Sequence, residues 1–91
     1  MSVKIKMPGK VLQKHGGGRD VVEVNGNTIG ECIEGLVTQF PDMKQQLFEE
    51  SGKVLSEIVI FVNGKVLYPK NLDKPVQDGD ELFLIATFFG G

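Results

Sequence analysis

The sequence predicts a single α+β domain in which about five strands pack on one main helix and a shorter second helix. Three observations predict this class. An alternating strand pattern opens the chain, a capped amphipathic helix follows, and two apolar runs at residues 57–62 and 81–87 come after the helix. With 91 residues, of which 41% are hydrophobic, the chain is expected to bury one core and fold alone.

The first two strands are predicted from short alternating and β-branched segments. Residues 3–7 alternate apolar side chains with lysines, which is typical of a strand with one buried and one solvated face, and Pro8 ends it. After a glycine-rich connection, "VVEV" at residues 21–24 predicts the second strand and Asn25-Gly26 a turn. We expect the two strands to pair as a wide hairpin.

The main helix is predicted to begin at a capping box. The hydroxyl of Thr28 can accept from the backbone N–H of Glu31, and the Glu31 carboxylate can reach back to the N–H of Thr28. Pro41 ends the helix, and Cys32 on its flank is expected to be a small buried hydrophobe. One stripe of the helix is apolar: Ile29, Ile33, Leu36, Val37 and Phe40. The shorter helix should turn three side chains inward: Met43, Leu47 and Phe48.

The second half of the chain predicts a tight hairpin and a final strand. "EIVIFV" at residues 57–62 is followed by Asn63-Gly64 and by "KVLY". Asn-Gly favours a type I′ turn because both central residues must adopt positive φ. The last strand is predicted over residues 81–87. Both strands are apolar on both faces, whereas one helix covers one face only, so the other face is either a partner site or is covered by loops.

Composition excludes several classes of protein. The 10 basic and 12 acidic residues give a net charge of −2, without the basic excess that binding to nucleic-acid phosphates requires. No apolar run could span a bilayer, and no apolar leader stands at the N-terminus. Cys32 is the only cysteine, so an internal disulfide cannot form. We therefore expect a cytoplasmic protein that binds neither nucleic acid nor membrane.

Catalytic and metal-binding motifs are incomplete in this sequence. "KHGGG" around His15 is similar to an esterase oxyanion loop, but G-x-S-x-G is missing. Each of the three Gly-Lys pairs precedes a valine, where a phosphate-binding loop needs serine or threonine. "DGDE" at residues 78–81 lacks the ligand spacing of a calcium loop, and His15 has no cysteine nearby for a zinc site. We expect no catalytic residue and no metal site.

The sequence ends in Gly90-Gly91, separated from the predicted strand by two residues. A C-terminal carboxylate is an anion at neutral pH and must be activated before a nucleophile can attack it. Adenylation by ATP would supply a leaving group that a thiol, persulfide or amine displaces. Glycines can thread a narrow channel in another protein because they lack Cβ. We therefore expect a folded domain over residues 1–87 and a flexible tail over residues 88–91.

Over its full length the sequence resembles the ThiS/MoaD family of sulfur carriers. The opening strand with its "HGGG" loop, "NTIGECIEGLVTQFP", "FVNGKVL", "VQDGDELFLI" and Gly90-Gly91 occur in the family's order. The length and the "LQKHGGG" loop are more similar to the larger members, MoaD and the CysO group that delivers sulfur for cysteine synthesis, than to the short ThiS proteins. The resemblance implies a ubiquitin-like β-grasp fold with a mixed sheet.

By this resemblance the protein is a carrier and not an enzyme. An adenylyltransferase of the ubiquitin-activating type would use ATP to adenylate Gly91, and a sulfur donor would displace AMP to leave a thiocarboxylate. A second biosynthetic enzyme would accept the sulfur for molybdopterin, cysteine or a related product. The carrier itself is expected to bind no cofactor and to be monomeric when free.

The resemblance also makes the uncovered sheet face a candidate docking surface. The candidates are Phe61 or its strand neighbours, and Phe83 or Leu84, because the pattern leaves open which residues of each strand point outward. The activating enzyme is expected to recognise three residues before Gly91: Phe88, Phe89 and Gly90. Family members commonly have small residues before the diglycine, so the two phenylalanines would either clash with a standard activating channel or match a specialised partner.

Two other functions stay open at this stage. A ubiquitin-like modifier would share the activation of Gly91 but join it to lysines of other proteins. A β-grasp binding module or small subunit would need no activation, and its diglycine would be a frayed end. A thiocarboxylate at Gly91 would distinguish the carrier from both.

Overall fold

The computed structural model describes residues 1–8 and 17–87 of the chain. Two helices and five strands lie in these ranges, in this order: β1 (Ser2–Lys6), β2 (Val21–Asn25), α1 (Ile29–Gln39), α2 (Met43–Leu47), β3 (Ile58–Val62), β4 (Lys65–Val66) and β5 (Glu81–Ala86). The expectations for His15 and for residues 88–91 lie outside the described residues, and the division into domain and tail stays a prediction. The predicted α+β class is confirmed.

The described strands form one mixed sheet in the order β2-β1-β5-β3-β4. β1 and β5 are parallel at its centre, with Ile5 opposite Leu82, and every other neighbouring pair is antiparallel. The first and last parts of the chain therefore meet in the middle of the sheet. β3 and β5 both have neighbours on each side and are therefore not edge strands.

The core lies between one face of the sheet and α1. Alternate strand residues, among them Ile5, Ile60 and Leu84, are fully buried there against the helix residues Ile33 and Leu36. The remaining predicted helix positions Val37, Phe40 and Phe48 are partly buried against this cluster. Cys32 is also fully buried, as expected, and burial raises the pKa of its thiol, which keeps it neutral at neutral pH.

The cap of α1 matches the prediction in one of its two hydrogen bonds. Thr28 Oγ1 accepts from the backbone N–H of Glu31 at 3.1 Å, as expected. The Glu31 carboxylate, however, accepts from the N–H of Asn27 at 2.8 Å, one residue earlier than predicted. The predicted bond to Thr28 is therefore corrected: the extended backbone before the helix brings the Asn27 N–H within reach of this side chain.

The hairpin between β3 and β4 has the predicted turn. Asn63 and Gly64 both have positive φ, 50° and 87°, as a type I′ turn requires. The second strand of the hairpin is shorter than the predicted residues 65–68 because only Lys65–Val66 is paired as a strand. Tyr68 is 79% exposed, and Pro69, which has no N–H to donate, follows it.

Candidate functional site

The outer face of the sheet, opposite α1, carries a row of side chains that crosses all the described strands. Lys6 is in register with Val21 on one side and with Phe83 on the other. Phe83 is in register with Phe61, which in turn is in register with Val66 on β4. The two phenylalanines therefore lie side by side at the centre of this face, on β5 and β3.

A second pair of apolar residues extends this row toward the end of β5. Val59 and Ile85 are in register and half-buried, like Phe61 and Phe83. Val66 at the edge is 57% exposed. We call these five residues the outer patch: Val59, Phe61, Val66, Phe83 and Ile85. The outer patch reaches from the edge strand β4 to the point where the described part of β5 ends.

Lys6 borders the outer patch and contacts two residues of β5. Its Nζ lies 5.3 Å from the centroid of the Phe83 ring and 3.3 Å from Glu81 Oε1. Cation–π contacts at exposed sites contribute about 0.5–1 kcal/mol, and exposed ion pairs contribute about as little. Lys6 therefore adds little to stability through its charge, but it sets a cation beside the aromatic ring of Phe83.

The structure separates the three predicted docking residues. Phe61 and Phe83 belong to the outer patch, whereas Leu84 has no exposed surface and packs in the core. Leu84 is thus corrected from a candidate docking residue to a core residue, because neighbouring residues of a strand point to opposite faces. Phe88, Phe89, Gly90 and Gly91 lie outside the described residues, and their roles stay predictions.

Sequence reasoning missed several residues around this site. Strand alternation already predicted that Lys6 faces solvent, and Val66 could have been assigned to the outer face in the same way, since it also follows a period of two. The contact between Thr87 and Glu57 has no signal in the sequence. Thr87 donates from both its N–H and its Oγ1 to the carbonyl oxygen of Glu57, at 2.8 and 2.7 Å.

A network of side-chain hydrogen bonds joins two turns at the start of β5, the end away from Thr87. Asn63 Nδ2 donates to Asp80 Oδ1 at 3.0 Å, and the N–H of Gln77 donates to Asp80 Oδ2 at 2.8 Å. The Asn63 side-chain oxygen also accepts from the N–H of Glu81 at 2.9 Å. These donors, the Asn63 side chain first, hold the pKa of the Asp80 carboxyl below its ordinary value. Asp80 is therefore a structural anion that ties the β3–β4 turn to the start of β5.

The described part of the chain shows neither a metal-binding cluster nor a membrane-spanning helix. No group of three or more His, Cys, Asp or Glu side chains in residues 1–8 and 17–87 is arranged to hold a metal ion. Neither helix in these ranges has the length and hydropathy needed to cross a bilayer.

The sheet order, with parallel β1 and β5 at the centre and a helix across one face, defines a ubiquitin-like β-grasp protein. The structure is similar to the crystal structure of SAMP1 from Haloferax volcanii, with a TM-score of 0.87 and 26% identity over 100% of both chains. It is also similar to a chain of the Amycolatopsis orientalis BexX/CysO complex, with a TM-score of 0.84 and 30% identity over 98% of this chain and 99% of that chain.

The chain belongs to the ThiS family, whose model matches residues 5–91. The sulfur carrier protein CysO of Mycobacterium tuberculosis is 29% identical over 94 residues, which cover 100% of both chains. Small archaeal modifier protein 1 of Haloferax volcanii is 30% identical over 82 residues, or 88% of this chain and 91% of its own. The predicted family, fold and function are confirmed: the protein is a sulfur carrier with a ubiquitin-like β-grasp fold.

Proposed function

We propose that the protein carries sulfur in the cytoplasm as a thiocarboxylate on Gly91. The proposal rests on the extent of the family match, which runs to residue 91. The alignment to a sulfur carrier likewise covers all of both chains. Gly90-Gly91 stands at the end of that match. The chain acts as the substrate of its partner enzymes and binds no cofactor of its own.

The proposed chemistry has two steps. A carboxylate oxygen of Gly91 attacks the α-phosphorus of ATP in the active site of an adenylyltransferase of the ubiquitin-activating type, and pyrophosphate leaves. Hydrosulfide then attacks the carbonyl carbon of the acyl adenylate, and AMP leaves with the bonding electrons. The product is the Gly91 thiocarboxylate, from which a second enzyme takes sulfur for molybdopterin, cysteine or a related product.

The outer patch is the proposed docking surface for the adenylyltransferase. Half-buried aromatic side chains at the centre of a surface are the residue type that dominates binding energy at protein interfaces. The outer patch also ends next to Thr87, from which residues 88–91 extend by at most about 14 Å. A partner docked on the outer patch therefore has to place its adenylation site within that distance. The adenylyltransferase would recognise the three residues that precede Gly91: Phe88, Phe89 and Gly90.

Intact-mass measurement tests this proposal. The purified chain is incubated with the adenylyltransferase of the same organism, ATP and hydrosulfide. A mass gain equal to the replacement of one oxygen by sulfur is expected, localised to Gly91 by fragmentation. The matched control is a chain from which Gly91 alone is deleted, and it should gain no mass. The proposal fails if the full chain gains no sulfur or if the deletion leaves cellular function intact.

The similarity to small archaeal modifier protein 1 favours a second function, conjugation to lysines of other proteins. Both functions require the same adenylate and differ only in the nucleophile, a sulfur atom or a lysine amine. Lysine-linked adducts that end in Gly91 would support conjugation, and their dependence on ATP would separate them from background. A chain that forms the thiocarboxylate and no such adduct acts as a carrier alone.

A further inference from the structure

Thr87 is bonded twice to one backbone oxygen. Its N–H donates to the carbonyl oxygen of Glu57 at 2.8 Å, and its Oγ1 donates to the same oxygen at 2.7 Å. The pair continues the ladder between β3 and β5 by one position past Ile58 and Ala86. Two donors from one residue restrain the position of Thr87.

The acceptor side of this contact is also held in place. Ser56 Oγ donates to Glu57 Oε1 at 2.7 Å, and the N–H of Ile58 donates to the carbonyl oxygen of Leu55 at 3.0 Å. Ile58 itself is fully buried in the core. Hydrogen bonds and the core thus hold the residues around the Glu57 carbonyl, and Thr87 is bonded to that carbonyl. The β-branched side chain of Thr87 has few χ1 rotamers, so the hydroxyl bond also restrains the backbone.

We propose that Thr87 is a positioning residue, which sets where the reactive arm of residues 88–91 begins and how far the Gly91 carboxylate reaches from a docked outer patch. This inference rests on the proposed function. From Thr87 the arm spans at most about 14 Å, whereas release of Thr87 would lengthen it by one residue, or about 3.5 Å. Reaction requires the attacking and attacked atoms to lie about 3–3.5 Å apart, and a longer arm with an unrestrained starting point brings the carboxylate to that distance from the ATP phosphorus less often, which lowers kcat.

A positioning role and a docking role predict different kinetic effects. Thr87 does not belong to the outer patch, so its loss should leave the KM for the carrier unchanged and lower kcat. Phe83 belongs to the outer patch, so Phe83→Ala should raise KM and leave kcat unchanged. The two variants therefore form a pair in which each serves as the control of the other.

The test uses full-length variants with the adenylyltransferase of the same organism, ATP and hydrosulfide, and follows AMP release. Thr87→Val keeps the shape and β-branching of the side chain and removes only the hydroxyl. Loss of one such hydrogen bond corresponds to about a fivefold fall in kcat, with KM within about twofold of wild type. Thr87→Ser keeps the hydroxyl and should restore most of kcat. Thermal unfolding of all variants checks that the domain remains folded.

A second variant keeps the proposal testable if Thr87→Val disturbs the fold. Insertion of one glycine between Thr87 and Phe88 leaves the contact to Glu57 intact and lengthens the arm by about 3.5 Å. It should lower kcat without raising KM. The proposal is overturned if the insertion variant, or a folded Thr87→Val variant, turns over at the wild-type kcat. In contrast, failure of the wild-type chain to release AMP would overturn the proposed function itself.

Discussion

The ammonium of Lys6 lies 5.3 Å from the ring centroid of Phe83, and the same nitrogen lies 3.3 Å from Glu81 Oε1. These residues come from opposite ends of the sequence and meet because β1 and β5 are parallel neighbours in register. Lys6 therefore lies over the Phe83 ring from β1, while Phe61 is the in-register neighbour of Phe83 on β3. The aromatic centre of the outer patch is positioned before any partner arrives.

Phe83→Ala should weaken binding of the adenylyltransferase while the domain stays folded. Aromatic residues at the centre of an interface commonly contribute about 2 kcal/mol or more, which corresponds to a rise in Kd of roughly 30-fold. Isothermal titration calorimetry of the two proteins measures this change. The matched control is Leu84→Ala on the neighbouring, fully buried position, which should instead cost about 2–5 kcal/mol of unfolding free energy. If Phe83→Ala bound the adenylyltransferase with unchanged affinity, the outer patch would not be the docking surface.

Gly90→Ala should impair activation and leave stability unchanged. A Cβ at this position restricts the backbone conformations that an arm needs in a narrow channel. ATP–pyrophosphate exchange with the adenylyltransferase measures activation, and denaturant unfolding measures stability. If Gly90→Ala is activated at the wild-type rate, a threaded arm is the wrong description of the reaction. If it lowers the unfolding free energy, Gly90 belongs to the folded domain.

The two glycines inside α1 should respond in opposite ways to alanine. A Cβ on Gly30 would lie 3.1 Å from the carbonyl oxygen of Leu72, which also accepts the N–H of Gly30 at 2.8 Å. A Cβ on Gly35 would lie 3.5 Å from the nearest atom, Val24 Cβ, which is an ordinary contact. Gly35→Ala should therefore stabilise the protein by up to about 1 kcal/mol through helix propensity, whereas Gly30→Ala should destabilise it. Urea unfolding of both variants checks the prediction, and a stabilised Gly30→Ala would show that Leu72 moves away easily.

Asp80 should make the unfolding free energy of the domain decrease at acid pH. Its pKa is lowered in the folded state by hydrogen bonds from Asn63 and Gln77, so the folded state favours the carboxylate more than the unfolded state does. This stability is fully present above the ordinary pKa of aspartate and is lost as pH falls through the lowered value. Asp80→Asn should thus reduce the difference in unfolding free energy between about pH 6 and about pH 3. The wild-type and variant curves should converge at the acid end, and parallel curves would contradict the prediction.

Much of the fold could be predicted because local signals agree with the tertiary structure. The Thr28 hydroxyl caps α1 as the capping-box pattern indicates, and Asn63-Gly64 adopts the two positive φ values that its sequence favours. The predicted end of β4 was wrong: the register with β3 covers only Lys65 and Val66. Nothing in the sequence of residues 65–68 reveals where that pairing ends.

The sequence by itself determined the class of protein, since the order of its elements and its Gly90-Gly91 ending resemble those of the sulfur carriers and the family match confirms the assignment. The tertiary structure decided which face each side chain occupies. β5 is apolar on both faces, so its pattern contains no contrast that could tell Phe83 from Leu84. Register with β1 and β3 placed Phe83 on the outer patch and Leu84 in the core. The bond of Thr87 to Glu57 was likewise decided only by that register, because hydrogen bonds between strands distant in sequence have no local signature.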